Sequence, residues 1–217
     1  INQVLLHQPD LQEKKIKKVL FTQPNYAWFE GRSWKMLPYG LGVLNACIKG
    51  QYNSDILDPG LNNMSENDVS EYLKREKPDV VCLSSVSTES LRHLRCLADL
   101  IKKNLPDCIT VMGGALPTTV LTIAMKIQNI DFWIIGEGED RFLQLLNELD
   151  KPNPDFSSID GLAYYKEGTP QINPSNGYLK DLDAIPFPDY GGLNILEYGN
   201  KLLKYSLLVP RQFPYAI

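Results

Sequence analysis

Between Cys108 and Leu149 two short apolar runs, residues 109–112 and 132–135, each stop at glycines, Gly113-Gly114 and Gly136-Glu137-Gly138. Neither run alternates apolar with polar side chains. That pattern suits strands covered on both faces, as in a parallel sheet. Ending such strands in residues without a Cβ leaves bare backbone at their carboxyl ends. An open α/β sheet binds its ligand there, where the backbone must approach closely. These two loops are the presumed site.

The same grammar extends upstream. Residues 19–22, 54–58 and 80–83 read as three further strands, and helical spacing fills the intervals. A helix over about residues 39–49 carries Leu41, Leu44 and Ile48 on one face. Ser65 is a fitting N-cap for a second, running to Glu76 with Val69, Tyr72 and Leu73 inward and Asp68 in its first turn. A third, over about residues 89–104, carries Leu91, Leu94, Leu97, Ala98 and Ile101 and breaks at Pro106. The fifth starts near Glu139 and buries Phe142, Leu145, Leu146 and Leu149 at i, i+3, i+4 and i+7. Five alternating strand–helix units predict a parallel sheet with right-handed crossovers and helices on both faces. Of the orders open to such a sheet, the flavodoxin-like (Rossmann-like) 2-1-3-4-5 is the one expected here.

The flanks differ. Residues 1–17 read as an arm, although Val4-Leu5-Leu6-His7-Gln8-Pro9 resembles Val19-Leu20-Phe21-Thr22-Gln23-Pro24 and competes with it as first strand. Residues 18–150 form the expected domain. Beyond Asp150, Lys151-Pro152-Asn153-Pro154 is a linker, residues 161–173 read as a small hairpin, and Pro186, Pro188 and Gly191-Gly192 punctuate an irregular tail. Residues 151–217 are therefore expected to be an appendage leading elsewhere.

Several functions are excluded. A net charge of −4 without a basic face argues against nucleic acid, and no apolar run approaches membrane-spanning length. With no initiator Met and no signal pattern, the chain reads as a fragment of a cytoplasmic protein. Cys47, Cys82, Cys96 and Cys108 lack C-x-x-C spacing and read as reduced thiols. The G-x-G-x-x-G of a dinucleotide fold is absent after the first strand, where Gln23-Pro24-Asn25-Tyr26 stands, and there is no P-loop. Gly136-x-Gly138 would set Glu137 and Glu139 against any phosphate. A receiver domain would need acidic residues where Gln23 and Ser84-Ser85 stand.

What remains is a large, mostly neutral ligand met by hydroxyls of the third loop, glycine backbone of the fourth and fifth, and aromatics of the first. Tyr26, Trp28, Phe29 and Trp34 in that first loop either fold back on the core or cover a flat cofactor.

The ordered segments K-V-L-F-T-Q-P-N, L-P-Y-G-L-G-V-L, K-P-D-V-V-C-L-S-S-V-S-T, V-M-G-G-A-L-P-T and I-G-E-G-E-D-R-F span residues 18–149. Together they resemble the cobalamin-binding domain at the N-terminus of cobalamin-dependent radical S-adenosylmethionine (SAM) enzymes. The later A-Y-Y-K-E-G-T-P and D-L-D-A-I-P-F-P-D-Y are similar to the segment joining that domain to the radical barrel. The resemblance implies cobalamin contacts from Gln23, Pro24, Asn25, Tyr39, Ser84, Ser85, Val86, Ser87, Thr88, Gly113, Gly114, Ala115, Gly136, Glu137, Gly138 and Glu139. It implies a nucleotide tail entering between the sheet and the third to fifth helices, with the corrin over the strand ends.

Two motifs depart from the wider pattern. The D-x-H-x-x-G motif that brings a histidine to cobalt is missing, and His7 and His93 are placed on a surface or helix face. The C-x-x-x-C-x-x-C motif of the iron–sulfur cluster is also missing, while residues 210–217 resemble the run-in to the first barrel strand. The resemblance therefore implies a module that binds cobalamin but catalyses nothing alone. Its partner would be a radical SAM barrel of the same polypeptide, with S-adenosylmethionine and a 4Fe-4S cluster. The barrel would perform methyl transfer, a radical rearrangement or an anaerobic cyclisation on a substrate chosen by that absent half. The alternatives are a freestanding cobalamin-binding or sensory module and a domain that has lost its cofactor.

Overall fold

A computed structural model describes residues 15–29, 37–85, 90–177, 179 and 181–202. Five parallel strands, β1 (Lys18–Thr22), β2 (Asn53–Leu57), β3 (Val80–Ser85), β4 (Ile109–Gly114) and β5 (Phe132–Ile134), lie in the order β2-β1-β3-β4-β5. This is the flavodoxin-like order expected for the five units. The hairpin does not stand apart. Strand β6 (Leu162–Lys166) pairs antiparallel with β5, and β7 (Thr169–Ile172) with β6, so the sheet has seven strands.

The continuous apolar runs are explained by a core on each face. Along β1, Leu20 faces the layer of Val69 and Leu73 from α2 (Glu66–Glu76) and Leu94, Leu97, Ala98 and Ile101 from α3 (Leu91–Asn104). Its neighbours Val19 and Phe21 face the opposite layer, which holds Leu41 and Ile48 from α1 (Tyr39–Ile48) and Phe142, Leu145, Leu146 and Leu149 from α5 (Glu139–Leu149). Successive strand residues point to opposite faces, so both must be apolar. Ser65 caps α2 as expected, its hydroxyl accepting from the Asp68 N–H while the Asp68 carboxyl accepts from the Ser65 N–H. Lys77, with φ of 46°, ends that helix.

The end of the sheet opposite the glycine loops is fastened by a buried ion pair. Lys102 of α3 places Nζ 2.8 Å from Asp131 Oδ2, with the two side chains 8% and 3% exposed. Lys102 also donates to the Cys108 carbonyl, while Thr110 of β4 donates its N–H and hydroxyl to the same Asp131 oxygen. One carboxyl thus ties α3, β4 and the start of β5 together.

All four cysteines are free, and burial pushes the Cys82 thiol up to about 12. Among the described residues no helix is long and apolar enough to cross a membrane.

Candidate functional site

Register brings the candidate residues to one level. Thr22 pairs with Leu83, Leu83 with Met112, and Met112 with Trp133. Gln23, Ser84, Gly113 and Ile134 therefore stand one residue further along their strands, at the carboxyl end of the sheet. Strands β3 and β4 run longer than the apolar runs alone suggest, pairing Ser84 with Gly113 and Ser85 with Gly114. The two glycines are thus the last residues of a strand, and α4 (Ala115–Ala124) follows with no loop at all.

That junction requires glycine at one position. Gly114 has φ of 88° and ψ of −155°, a region essentially closed to residues with a Cβ. Gly113 has no positive φ, and a Cβ built on it would meet nothing within 4 Å. Gly114 turns the chain, while Gly113 exposes bare backbone to open space.

A cavity of about 490 Å³ opens beside this junction, lined by Gly114, Ala115, Thr118, Ile135, Gly136, Glu137, Arg141, Ser175 and Gly177. Four of these, Gly114, Ala115, Gly136 and Glu137, belong to the set marked from the sequence. Thr118 bridges the two turns: its hydroxyl donates to the Gly114 carbonyl at 2.8 Å and accepts from the Gly136 N–H at 2.9 Å. Gly136 has φ of 77°, and a Cβ there would lie 2.8 Å from Arg141 Nη1. The Glu137 carboxyl accepts the Leu179 N–H. Gly138 packs the start of α5 on α1, since a Cβ there would sit 3.3 Å from Leu44. Glu139 follows in the first helical turn, where a carboxylate suits the helix dipole, and its Oε2 is buried without a hydrogen-bond partner.

Arg141 carries no mark in the sequence reading, yet it organises this wall. It is 7% exposed. Nε and Nη2 donate to Asp160 Oδ2, Nη1 to the carbonyls of Ile135 and Glu137, and Nη2 to that of Gly177. Asp160 also accepts the Asn176 N–H. That bond above all, with Arg141 beside it, holds the carboxyl below its usual range. Gly161, with φ of 63°, passes so close that a Cβ would lie 2.9 Å from the Ile135 carbonyl and 3.1 Å from the guanidinium carbon.

The first-loop residues sit at the other side of the same end. Gln23, Pro24 and Asn25 are buried, and their polar groups are spent within the protein. The Gln23 amide donates to Asp58 Oδ2 at 2.8 Å, as does the Tyr198 hydroxyl at 2.6 Å, while the Gly60 and Leu61 N–H groups donate to Asp58 Oδ1. Tyr198 belongs to α6 (Ile195–Leu202), so the tail returns over this end of the sheet. It also crosses α1, where Asp189 donates its N–H to the Gly42 carbonyl and forms an ion pair with Lys49. Asn25 bonds Met64 and the Ala27 N–H. Tyr39, at the start of α1, is 65% exposed.

Of the first-loop aromatics, Trp28 folds back on the core and donates to the Met64 carbonyl. Tyr26 and Phe29 pack on His93, with ring centroids 5.4 and 5.1 Å away. His93 Nε2 lies 3.2 Å from the Tyr26 carbonyl, so that nitrogen carries the proton, and Nδ1 is buried as an unpartnered lone pair. Burial lowers the pKa of this imidazole. Val86, Ser87, Thr88, Trp34 and His7 lie outside the described residues, as does the side chain of Ser85.

Comparison with known proteins gives a consistent picture. A family model described as the B12 binding domain matches residues 34–146. The chain is 30% identical over 191 residues to an anaerobic magnesium-protoporphyrin IX monomethyl ester cyclase of Rubrivivax gelatinosus, covering 83% of this chain and 34% of that protein. It is 27% identical over 188 residues to a cytidylyl-2-hydroxyethylphosphonate methyltransferase of Streptomyces wedmorensis, covering 74% of this chain and 34% of that one. Its fold matches the cobalamin-dependent S-adenosylmethionine radical enzyme OxsB, solved with aqua-cobalamin and S-adenosylmethionine bound, with a TM-score of 0.65 at 17% identity. That match covers 86% of this chain and 25% of the other. The chain spans about a third of the length of the two sequence relatives.

Proposed function

The chain belongs to the B12-binding domain family, and from that membership we propose that it holds cobalamin at the carboxyl end of its sheet for a radical SAM barrel of the same full-length protein. The observation that carries this reading is the cleft of about 490 Å³ walled by the β4–α4 and β5–α5 turns. Its residues fit the group. Gly113 leaves an open face beside it, most of the lining is small side chains and backbone, and the charge of Arg141 in the wall is matched by Asp160. Such a cleft admits one arm of a large, amide-rich cofactor, and the corrin would then rest over the ends of β1, β3 and β4, with Tyr39 exposed beside them.

On this reading residues 18–150 carry the cofactor domain, the hairpin completes its sheet, and the remainder leads toward the barrel. Bound cobalamin supplies an exchangeable cobalt–carbon bond. The chain's own residues shape the cleft and hold the cofactor's arm in place. The relatives include a methyltransferase and a cyclase, which supports methyl transfer or anaerobic cyclisation as the chemistry of the whole protein. Four free thiols support a reducing, cytoplasmic setting.

Titrating the 217-residue chain with hydroxocobalamin and following corrin absorbance tests the reading. A saturable spectral change is expected, and a folded sample with no change at any accessible concentration rejects it.

The paired glycines refine the test. Gly114→Ala should cost about 1–3 kcal/mol of stability, because alanine is strained at that φ and ψ. Gly113→Ala should leave the urea midpoint almost unmoved yet weaken cobalamin binding at least about tenfold, roughly 1.4 kcal/mol, because the added methyl meets only the ligand. Unchanged affinity in Gly113→Ala would show that the cofactor does not approach this backbone.

A further inference from the structure

The tail is fastened to the body at two points with a pair of glycines between them. The first point is on α1. Asn45 donates its amide to the Asp189 carbonyl at 2.8 Å, and the Tyr190 ring lies so near Gly42 that a Cβ there would be 2.7 Å from Cε1. The second is Tyr198 of α6, 0% exposed, whose hydroxyl reaches Asp58. Between them stand Gly191, with φ of 56°, and Gly192, where a Cβ would meet nothing within 4 Å. Such a junction has room to turn, as hinges between packed elements do.

Helix α6 does not hold itself in place. Eight residues with Gly199 in the interior are too few to stay helical alone in water. Ile195 and Leu196 are exposed, and Tyr198 is the one buried residue of this helix among those whose side chains are described. Seating the ring and forming the helix are therefore one event, and α6 has two states, seated and released.

The seat is shared with the first loop. Asp58 Oδ2 accepts the Tyr198 hydroxyl at 2.6 Å and the Gln23 amide at 2.8 Å. The Met64 carbonyl accepts both the Asn25 amide and the Trp28 indole N–H, so residues 23–28 and 58–64 move as one body. When the tyrosine leaves, water reaches this oxygen, and Gln23 is held by a solvated carboxyl instead of a buried one, which is a weaker bond. A ligand that touches the loop at Gln23, Pro24 and Asn25 binds best where the loop is fixed, so it favours the seated state.

Resting on the cobalamin reading, we propose that α6 is a latch hinged at Gly191-Gly192, and that Asp58 couples its seating through Tyr198 to occupancy of the cofactor end through Gln23. Tyr198 acts as a positioning residue. Cofactor loading is thereby passed to the segment that follows α6.

Hydrogen exchange of the 217-residue chain, with and without saturating hydroxocobalamin, reads the latch. Coupling is reciprocal, so one factor governs two measurements. The α6 amides should exchange at least about tenfold more slowly in the loaded chain, while those of β7, at the opposite edge of the sheet from β2 and Asp58, change less than about twofold. Tyr198→Ala, which releases α6, should weaken hydroxocobalamin binding by the same factor while the circular dichroism spectrum stays that of a folded chain. Tyr198→Phe keeps the buried ring and loses only the hydroxyl, so it folds even where alanine does not, and it should weaken binding at least about threefold. A loaded chain whose α6 exchanges as in the free one, slowing in β7 equal to that in α6, or a folded Tyr198→Phe chain that binds like wild type overturns the latch and leaves the cobalamin reading standing. A wild-type chain that binds no hydroxocobalamin rejects both.

Discussion

Asp131→Ala should lower the free energy of unfolding by about 3–5 kcal/mol, the range for removing one partner of a buried ion pair. Its carboxyl is 3% exposed and meets Lys102 Nζ at 2.8 Å, with the Thr110 N–H and hydroxyl on the same oxygen. Alanine would leave an ammonium group buried beside only the Cys108 carbonyl, and a backbone N–H in β4 without an acceptor. Asp131→Asn separates the two losses, since its amide oxygen still serves Thr110 while the Lys102 charge stays uncompensated. Urea unfolding reads both. A loss under about 1 kcal/mol in Asp131→Ala would mean that Lys102 swings into water, as surface pairs do. Because this pair lies at the end of the sheet away from the cleft, cobalamin affinity of the folded protein should not change.

Asp58→Ala should cost roughly 3 kcal/mol and loosen the tail. Asp58 is 1% exposed and accepts from four donors: the Gln23 amide, the Tyr198 hydroxyl, and the Gly60 and Leu61 N–H groups. Each donor stranded in the interior costs about 1–3 kcal/mol, less what water and local shifts recover, so the sum falls short of four full penalties. Tyr198→Phe removes one donor and leaves the other three in place, and should cost only about 0.5–1.5 kcal/mol. The two variants predict a ranking in urea, and limited proteolysis adds a local reading, since α6 is anchored to this end through Tyr198. If Asp58→Ala matches Tyr198→Phe in both measurements, the carboxyl does not organise the loop.

The legible part of the molecule was the part governed by local pattern. Residues 80–83, 109–112 and 132–135 announce buried strands because both faces of the sheet are covered, and Ser65 with Asp68 announces a helix start because the capping bonds are made within four residues. The fourth helix was harder to delimit. Ala115–Ala124 contains Pro117, Thr118 and Thr119, and Val120 departs from helical geometry with φ of −140° and ψ of 55°. The hairpin was visible, but its pairing to β5 was not, because that contact joins Trp133 to Ala163 across thirty residues of sequence. The site divided in the same way. Gly114, Gly136 and Glu137 followed from the strand ends and Ala115 from the family resemblance, whereas Arg141, Asp160 and Ser175 meet only in the folded chain. One signal was there to be used: Arg141 is a cation in the first turn of α5, directly after Glu139 and Asp140, where the dipole favours the opposite charge.

With β6 in place, the sheet no longer ends in Phe132–Ile134, a three-residue strand with every side chain buried, but in Thr169–Ile172. An open apolar edge invites other chains to add their strands, whereas Pro170 in the outer strand has no N–H to offer one. A chain stopped at residue 150 would keep every glycine of the β4–α4 and β5–α5 turns yet present Phe132, Trp133 and Ile134 to its neighbours. Covering the β5 edge therefore asks for a longer unit than the cofactor pattern does, one that extends past the hairpin.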